Sequence, residues 1–372
     1  MKKFIFKILI FLFPIVLVFL PPFLILKGSG ENYTDINPVI RNNADYLIGY
    51  AYNENNYKYL KWATINENNK YQIIALGSSR VLQFRDNMFK SSFYNAGYTI
   101  SKIGDFKKFL QSIPIEKYPK YLILGFDQWM FNENWDNGIG KDPNSNYWSN
   151  SFSKQPKFNT FSSIYKDLFK GKYGLSIIVN NSTKIGLNAI VNDKGFRNDG
   201  SIYYGTQIRK LINNDNSAND FEFNDTYSRI KNGNRRFQYG EKVNQIAVDK
   251  LNQLLSFCKD NNINVIGFIP PFANSVYEKM NKSNNYNYLN DLSKKLTPIF
   301  NEYGFEFYNY PSVKYCNSTD NENIDGFHGG EVVYCNILID MLKNNSIINE
   351  VTNIEKLEND KKNKKNRYIV YE

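Results

Sequence analysis

The chain is predicted to be an α/β protein, an open, doubly wound, mostly parallel sheet carried on a membrane anchor, and three observations predict it. Five short, continuously apolar runs recur along the 372 residues, each bounded by turn residues. Strands of that kind belong to parallel sheets covered on both faces. Helical patterns with an apolar stripe alternate with them, as βαβ units require. Near the N-terminus, nineteen residues in a row carry no charge.

That apolar run, Ile8 to Leu26, follows Lys2, Lys3 and Lys7. At about 1.5 Å per residue it matches the roughly 30 Å hydrocarbon core of a bilayer. Pro14, Pro21 and Pro22 would break a soluble helix and are better tolerated in a membrane one. The run ends in bulky Leu26 and Lys27 where a cleaved signal would have small residues, so it reads as an uncleaved anchor. The lysines ahead of it place residues 1–7 in the cytoplasm and everything after Lys27 outside. A cell-membrane, single-pass protein with an extracytoplasmic domain is therefore expected. Nucleic acid is then not an expected partner, although 46 Lys and Arg against 36 Asp and Glu give a formal charge of +10.

Residues 27–69, polar and rich in Asn and Tyr, read as a stem. The domain proper is expected over 70–345. Its strands are Tyr71 to Gly77, Ser92 to Gly97, Tyr121 to Phe126, Ile263 to Ile269 and Phe305 to Tyr310. A helix is expected at Val81 to Phe89. Two more follow from Ala247, Leu251, Leu254, Leu255 and Cys258, and from Tyr334, Leu338, Met341 and Leu342, both at helical spacing. Residues 132–242 are far too long for an ordinary αβ connection and read as an inserted cap. Residues 346–372, with a dense run of Lys and Asn, read as a charged, solvated tail.

Three cysteines and one histidine leave no multi-histidine metal centre, and no cofactor or metal is expected. Two short segments can carry chemistry. Gly77-Ser78-Ser79-Arg80 follows the first strand, where a serine hydroxyl would stand at the carboxyl edge of the sheet; a plain Ser cap explains the same letters. Asp325-Gly326-Phe327-His328 holds the only histidine, three residues after an aspartate that can fix its tautomer. A serine early in the chain and an Asp-His pair late is the order a nucleophile triad needs here.

These segments resemble the SGNH (GDSL-like) hydrolases and acyltransferases. The resemblance implies a flavodoxin-like three-layer fold and makes Ser79 the nucleophile, His328 the base and Asp325 its orienting group. Asn95-Ala96-Gly97 is similar to the family's second block, which makes Gly97 an oxyanion-hole residue beside Ser79. Gly125-Phe126-Asp127 is similar to the third block, Gly-x-Asn, but Asp127 stands where an amide should donate. An ionised carboxylate cannot donate, so either Gln128 turns inward or the hole rests on the backbone N–H groups of Ser79 and Gly97. Gln128-Trp129-Met130-Phe131 resembles the DltD-like proteins of teichoic-acid D-alanylation, and more distantly those of alginate acetylation. That resemblance implies acyl transfer onto a cell-surface polysaccharide alongside a membrane-bound O-acyltransferase. The same triad would serve an esterase or deacetylase. A non-catalytic glycan-binding or assembly factor on the same fold is the third reading.

Asn274 and Ser275, after another buried strand, are candidate substrate contacts together with Asp127 and Trp129, as against a stiff loop with no ligand. Trp129, Trp135, Trp148, Tyr203 and Tyr204 can stack on sugars or serve as core. Cys316 and Cys335 flank the Asp-His loop and can bridge in an oxidising compartment, whereas Cys258 reads as a core thiol.

Overall fold

The computed structural model describes residues 1–31, 34–42, 45–135, 146–150, 152, 158–179 and 183–371. Parts of the expected stem and of the expected insertion therefore lie outside the described residues. The chain divides into two compact units. One comprises Met1–Asn56, Ser151–Asn198 and Tyr203–Thr206; the other comprises Tyr57–Asn150, Asp199–Ile202 and Gln207–Glu372.

The first unit contains helix α1 (Lys2–Ser29), the one helix among the described residues long and apolar enough to cross a membrane. Its last turns are buried against Ile164, Ile177 and Leu187 through Ile25 and Leu26. Glu31, just beyond, is fully buried, and its carboxylate accepts the backbone N–H groups of Ala51, Tyr52 and Leu187. One side chain thereby ties three separate segments together. Short strands at Leu47–Ile48 and Lys184–Ile185 pair in parallel in this unit.

The second unit is built on five parallel strands: β1 (Ile73–Leu76), β2 (Phe93–Ala96), β3 (Tyr121–Gly125), β4 (Asn264–Ile269) and β5 (Glu306–Asn309). Their spatial order is β2-β1-β3-β4-β5, all neighbours parallel. All five segments expected from their apolar runs are strands. Ile74 and Leu76 face a core shared with helices α2 (Ile103–Gln111), α4 (Gln245–Asp260) and α5 (Tyr288–Tyr303). Ile73 and Ala75 face the other core, with α6 (Glu331–Lys343). The α4 start is fixed by Asn244, whose side-chain oxygen accepts from Ile246 N, the usual capping chemistry. Helix α3 (Phe158–Phe169) belongs to the first unit.

Two expectations are corrected. Val81 to Phe89 is not a helix but two short 3-10 turns, Ser79–Val81 and Asp86–Met88. The reason is competition for carbonyls: Asn95 Nδ2 donates to Val81 O and Phe84 O, and Ile202 N donates to Leu82 O. The charged C-terminal residues are packed rather than solvated. Ile354–Lys362 is helical, Tyr368, Ile369 and Val370 are buried, and Glu331 accepts the N–H groups of Val370 and Tyr371. Apolar residues scattered among the lysines supplied the anchor. Cys316 and Cys335 are both free and buried; the Cys316 thiol donates to Val313 O instead of bridging.

Candidate active site

The register brings the carboxyl ends of β1, β2 and β3 level, with Leu76 opposite both Ala96 and Leu124. Gly77-Ser78-Ser79, Gly97 and Asp127-Gln128 all leave the sheet at that edge, at the order reversal between β1 and β3 where open α/β sheets form their clefts. Ser78 caps the turn, its oxygen accepting Arg80 N at 3.2 Å. That directs Ser79 outward. The Ser79 Oγ lies 2.8 Å from His328 Nε2, and His328 Nδ1 lies 2.7 Å from Asp325 Oδ2.

Asp325 and His328 are brought together by a tight loop. Asp325 Oδ1 accepts the N–H groups of Phe327 and His328 at 3.0 and 2.8 Å, and Ile324 N donates to His328 O across the turn. Gly326 is required at its position, because a Cβ there would meet Thr226 at 2.6 Å. Burial pulls the Asp325 pKa up, but the His328 charge and these hydrogen bonds outweigh it and hold the carboxyl below the ordinary range. An ionised Asp325 keeps the Nδ1–H of His328 engaged, which leaves the Nε2 lone pair to accept from the Ser79 hydroxyl.

The expected oxyanion donors fare differently. The Ser79 N–H has no protein acceptor among the described residues. Gly97 N donates to Asn95 Oδ1 at 2.9 Å, and a Cβ on Gly97 would strike Leu82 and Val81 at 2.7 Å, so this glycine serves packing. Gln128 does turn inward, but past the site. Its Nε2 donates to Pro270 O at 2.7 Å and its Oε1 accepts from Arg80.

Arg80 is the residue that the sequence reading passed over. It is 1% exposed, and its guanidinium donates to Phe327 O, Gln128 Oε1 and Pro270 O, with Asp127 Oδ1 at 3.6 Å. The signal was present: a lone cation directly after Ser79 and before apolar Val81-Leu82 has to find carbonyl and carboxylate partners if it is buried. Asp127 itself is buried beside Arg80 and the Ser78 side chain, and among the described residues neither carboxylate oxygen makes a hydrogen bond of good geometry. Burial raises its pKa against the pull of Arg80.

Trp129, a candidate substrate contact, is 3% exposed and packs as core against Phe272, Phe327 and the Arg80 guanidinium. Trp135 and Trp148 are likewise buried. Asn274 N and Ser275 N both donate to Asp320, Asn274 Oδ1 accepts from Ser312, and Ser275 Oγ accepts from Tyr227. Those contacts hold the loop after β4 in shape.

No family model, curated protein or solved structure matches the chain. The function must be argued from the geometry.

Proposed function

We propose that the protein is a membrane-anchored serine acyltransferase of SGNH-like, three-layer type that modifies a cell-surface polysaccharide outside the cytoplasm. The observation that carries this reading is the linear relay Ser79 Oγ to His328 Nε2 at 2.8 Å and His328 Nδ1 to Asp325 at 2.7 Å. A serine hydroxyl, an imidazole and an ionised carboxylate in that order activate a nucleophile. Ser79 Oγ attacks the acyl carbonyl of a donor as its proton passes to His328 Nε2. The leaving group departs with that proton, and the acyl group remains as an ester on Ser79. A sugar hydroxyl then gives its proton to His328 and attacks the ester, and Ser79 recovers the proton. Water in place of the sugar makes the same site an esterase.

The polysaccharide and a membrane-bound O-acyltransferase partner come from the resemblance of Gly77-Ser78-Ser79 and Gln128-Trp129-Met130-Phe131 to the glycan-modifying proteins. The outside location comes from the lysines ahead of the span. A specific observation favours a second reading, a non-catalytic glycan-binding or assembly factor: of the three expected oxyanion donors, Gly97 N and Gln128 Nε2 are both committed to protein acceptors.

The deciding experiment treats the full chain with a serine-directed fluorophosphonate. A covalent adduct that Ser79→Ala removes supports catalysis; an unreactive Ser79 supports the binding factor. Glycan analysis of cells carrying Ser79→Ala then separates transfer, which loses O-acyl groups, from hydrolysis, which accumulates them.

A further inference from the structure

We propose that helix α3 (Phe158–Phe169) and the turn after it lie in the outer leaflet of the bilayer beside α1, so that the protein meets the lipid through two elements rather than one. The inference rests on the reading of α1 as a membrane span.

Pro21 and Pro22 have no N–H, so the helix carbonyls four residues earlier, those of Leu17 and Val18, lose their intrahelical donors. The structure supplies one from elsewhere. Tyr165 of α3 donates its hydroxyl to Val18 O at 2.6 Å, with Leu17 O at 3.5 Å. A carbonyl freed in water would be solvated, but in hydrocarbon it must be met by protein. Val18 lies eight residues before Leu26, about 12 Å inside the end of the apolar run. At the same level Phe19 packs edge-on against Phe161, with ring centroids 5.5 Å apart, and against Phe158 at 6.1 Å. A segment that touches α1 at that depth has to enter the bilayer with it.

The exposure of the segment agrees. Phe158 is 79% and Phe169 87% exposed, and Leu175 and Val179 beyond them are also exposed. Phe158, Phe161, Tyr165 and Phe169 follow helical spacing along the side that meets α1, while Asn159, Ser162 and Lys166 are exposed on the adjoining flank, about 100° further round. This is the pattern of a helix lying in a membrane interface. Lipid length also points the same way. The apolar run of α1 ahead of the turns that this unit covers, Ile8 to Leu20, amounts to about 20 Å, short of the roughly 30 Å hydrocarbon core.

The test uses the full chain in phospholipid nanodiscs, with single cysteines at Phe158 and Phe169 carrying a nitroxide; the three native thiols are buried. Phe11→Cys on α1 serves as the lipid reference and Asn55→Cys as the aqueous one. Collisions with oxygen exceeding those with a water-soluble nickel chelate at positions 158 and 169, as at 11, are the expected result. Nickel-dominated collisions there, with Phe11 in lipid, would overturn the proposal alone. Exclusion of both quenchers at 158 and 169 would show a protein covering the face and overturn it equally. An aqueous Phe11 label would remove the anchor reading and the proposal together. Tyr165→Phe should increase the mobility of the Phe158 label; unchanged mobility would overturn the carbonyl-capping argument.

Discussion

Arg80 Nε donates to the backbone carbonyl of Phe327 at 2.8 Å, so the residue that follows Ser79 grips the one that precedes His328. The two halves of the candidate site are 249 positions apart in the chain. A single guanidinium sets the distance between them, and its other donors hold the loops after β3 and β4 through Gln128 and Pro270. Tyr334 from α6 adds a hydrogen bond to the Arg80 carbonyl. A planar, five-donor group suits this role, and a lysine cannot reproduce it.

Removing that clamp should be severe. Arg80→Met leaves Asp127 buried without its cation, a change that costs about 3 to 5 kcal/mol. Asp127→Asn in the same chain should recover part of the loss. Chemical denaturation of the three proteins in detergent measures both effects, and equal stability of Arg80→Met and the wild type would refute the role.

The Asp325 carboxyl is held below its ordinary value of 3.8. A depressed acid contributes stability above that value and loses it as pH falls through the folded-state value. Asp325→Asn should therefore be less stable than the wild type at neutral pH, with the gap closing below about pH 4. Its reactivity toward a fluorophosphonate should fall less than that of His328→Ala, because the base remains in place. Thermal unfolding from pH 3 to 8 and adduct formation at pH 7 check the two halves.

Asp105, in the first turn of α2, behaves oppositely. Burial pushes its pKa up from 3.8 to about 6 despite the Ser101 N–H that it accepts, and its Oδ1 has no partner among the described residues. The folded state thus holds a proton that the unfolded state has released, and stability falls as pH rises from about 4 to 6. Asp105→Asn should remove this cost, a gain of up to about 3 kcal/mol at pH 7 that vanishes near pH 4. Urea midpoints across that range would expose a constant gap if the reasoning failed.

Val81 fills a hole lined by glycines. A Cβ at Gly125 would meet Val81 Cγ1 at 2.2 Å, and Cβ atoms at Gly77 and Gly97 would meet its methyl groups at 2.8 and 2.7 Å. Gly125→Ala should destabilise by about 1 to 3 kcal/mol through overpacking. Adding Val81→Ala should return part of that, and a purely additive double variant would argue against direct contact.

The five strands of the sheet and the Asp-His loop were legible from local pattern, because continuous apolar runs and a lone histidine beside an aspartate are one-dimensional signals. So was the length and composition of α1. What sequence could not show was any feature made by atoms from distant segments competing for the same partner. Asn95 takes the carbonyls that a helix after Ser79 would need, and Gly97 and Gln128 spend on Asn95 and Pro270 the donors that an oxyanion hole would want. The Lys-rich C-terminus reads as solvated because charge dominates its composition, yet Leu357 and Tyr368 to Val370 are enough to bury it once Glu331 is there to accept its backbone N–H groups. Periodicity and spacing determined which residues become strands, which helix is apolar, and which serine, aspartate and histidine are available. Tertiary structure alone decided which hydrogen bonds those groups make, since each buried donor can be satisfied only by whatever the fold brings within about 3 Å of it.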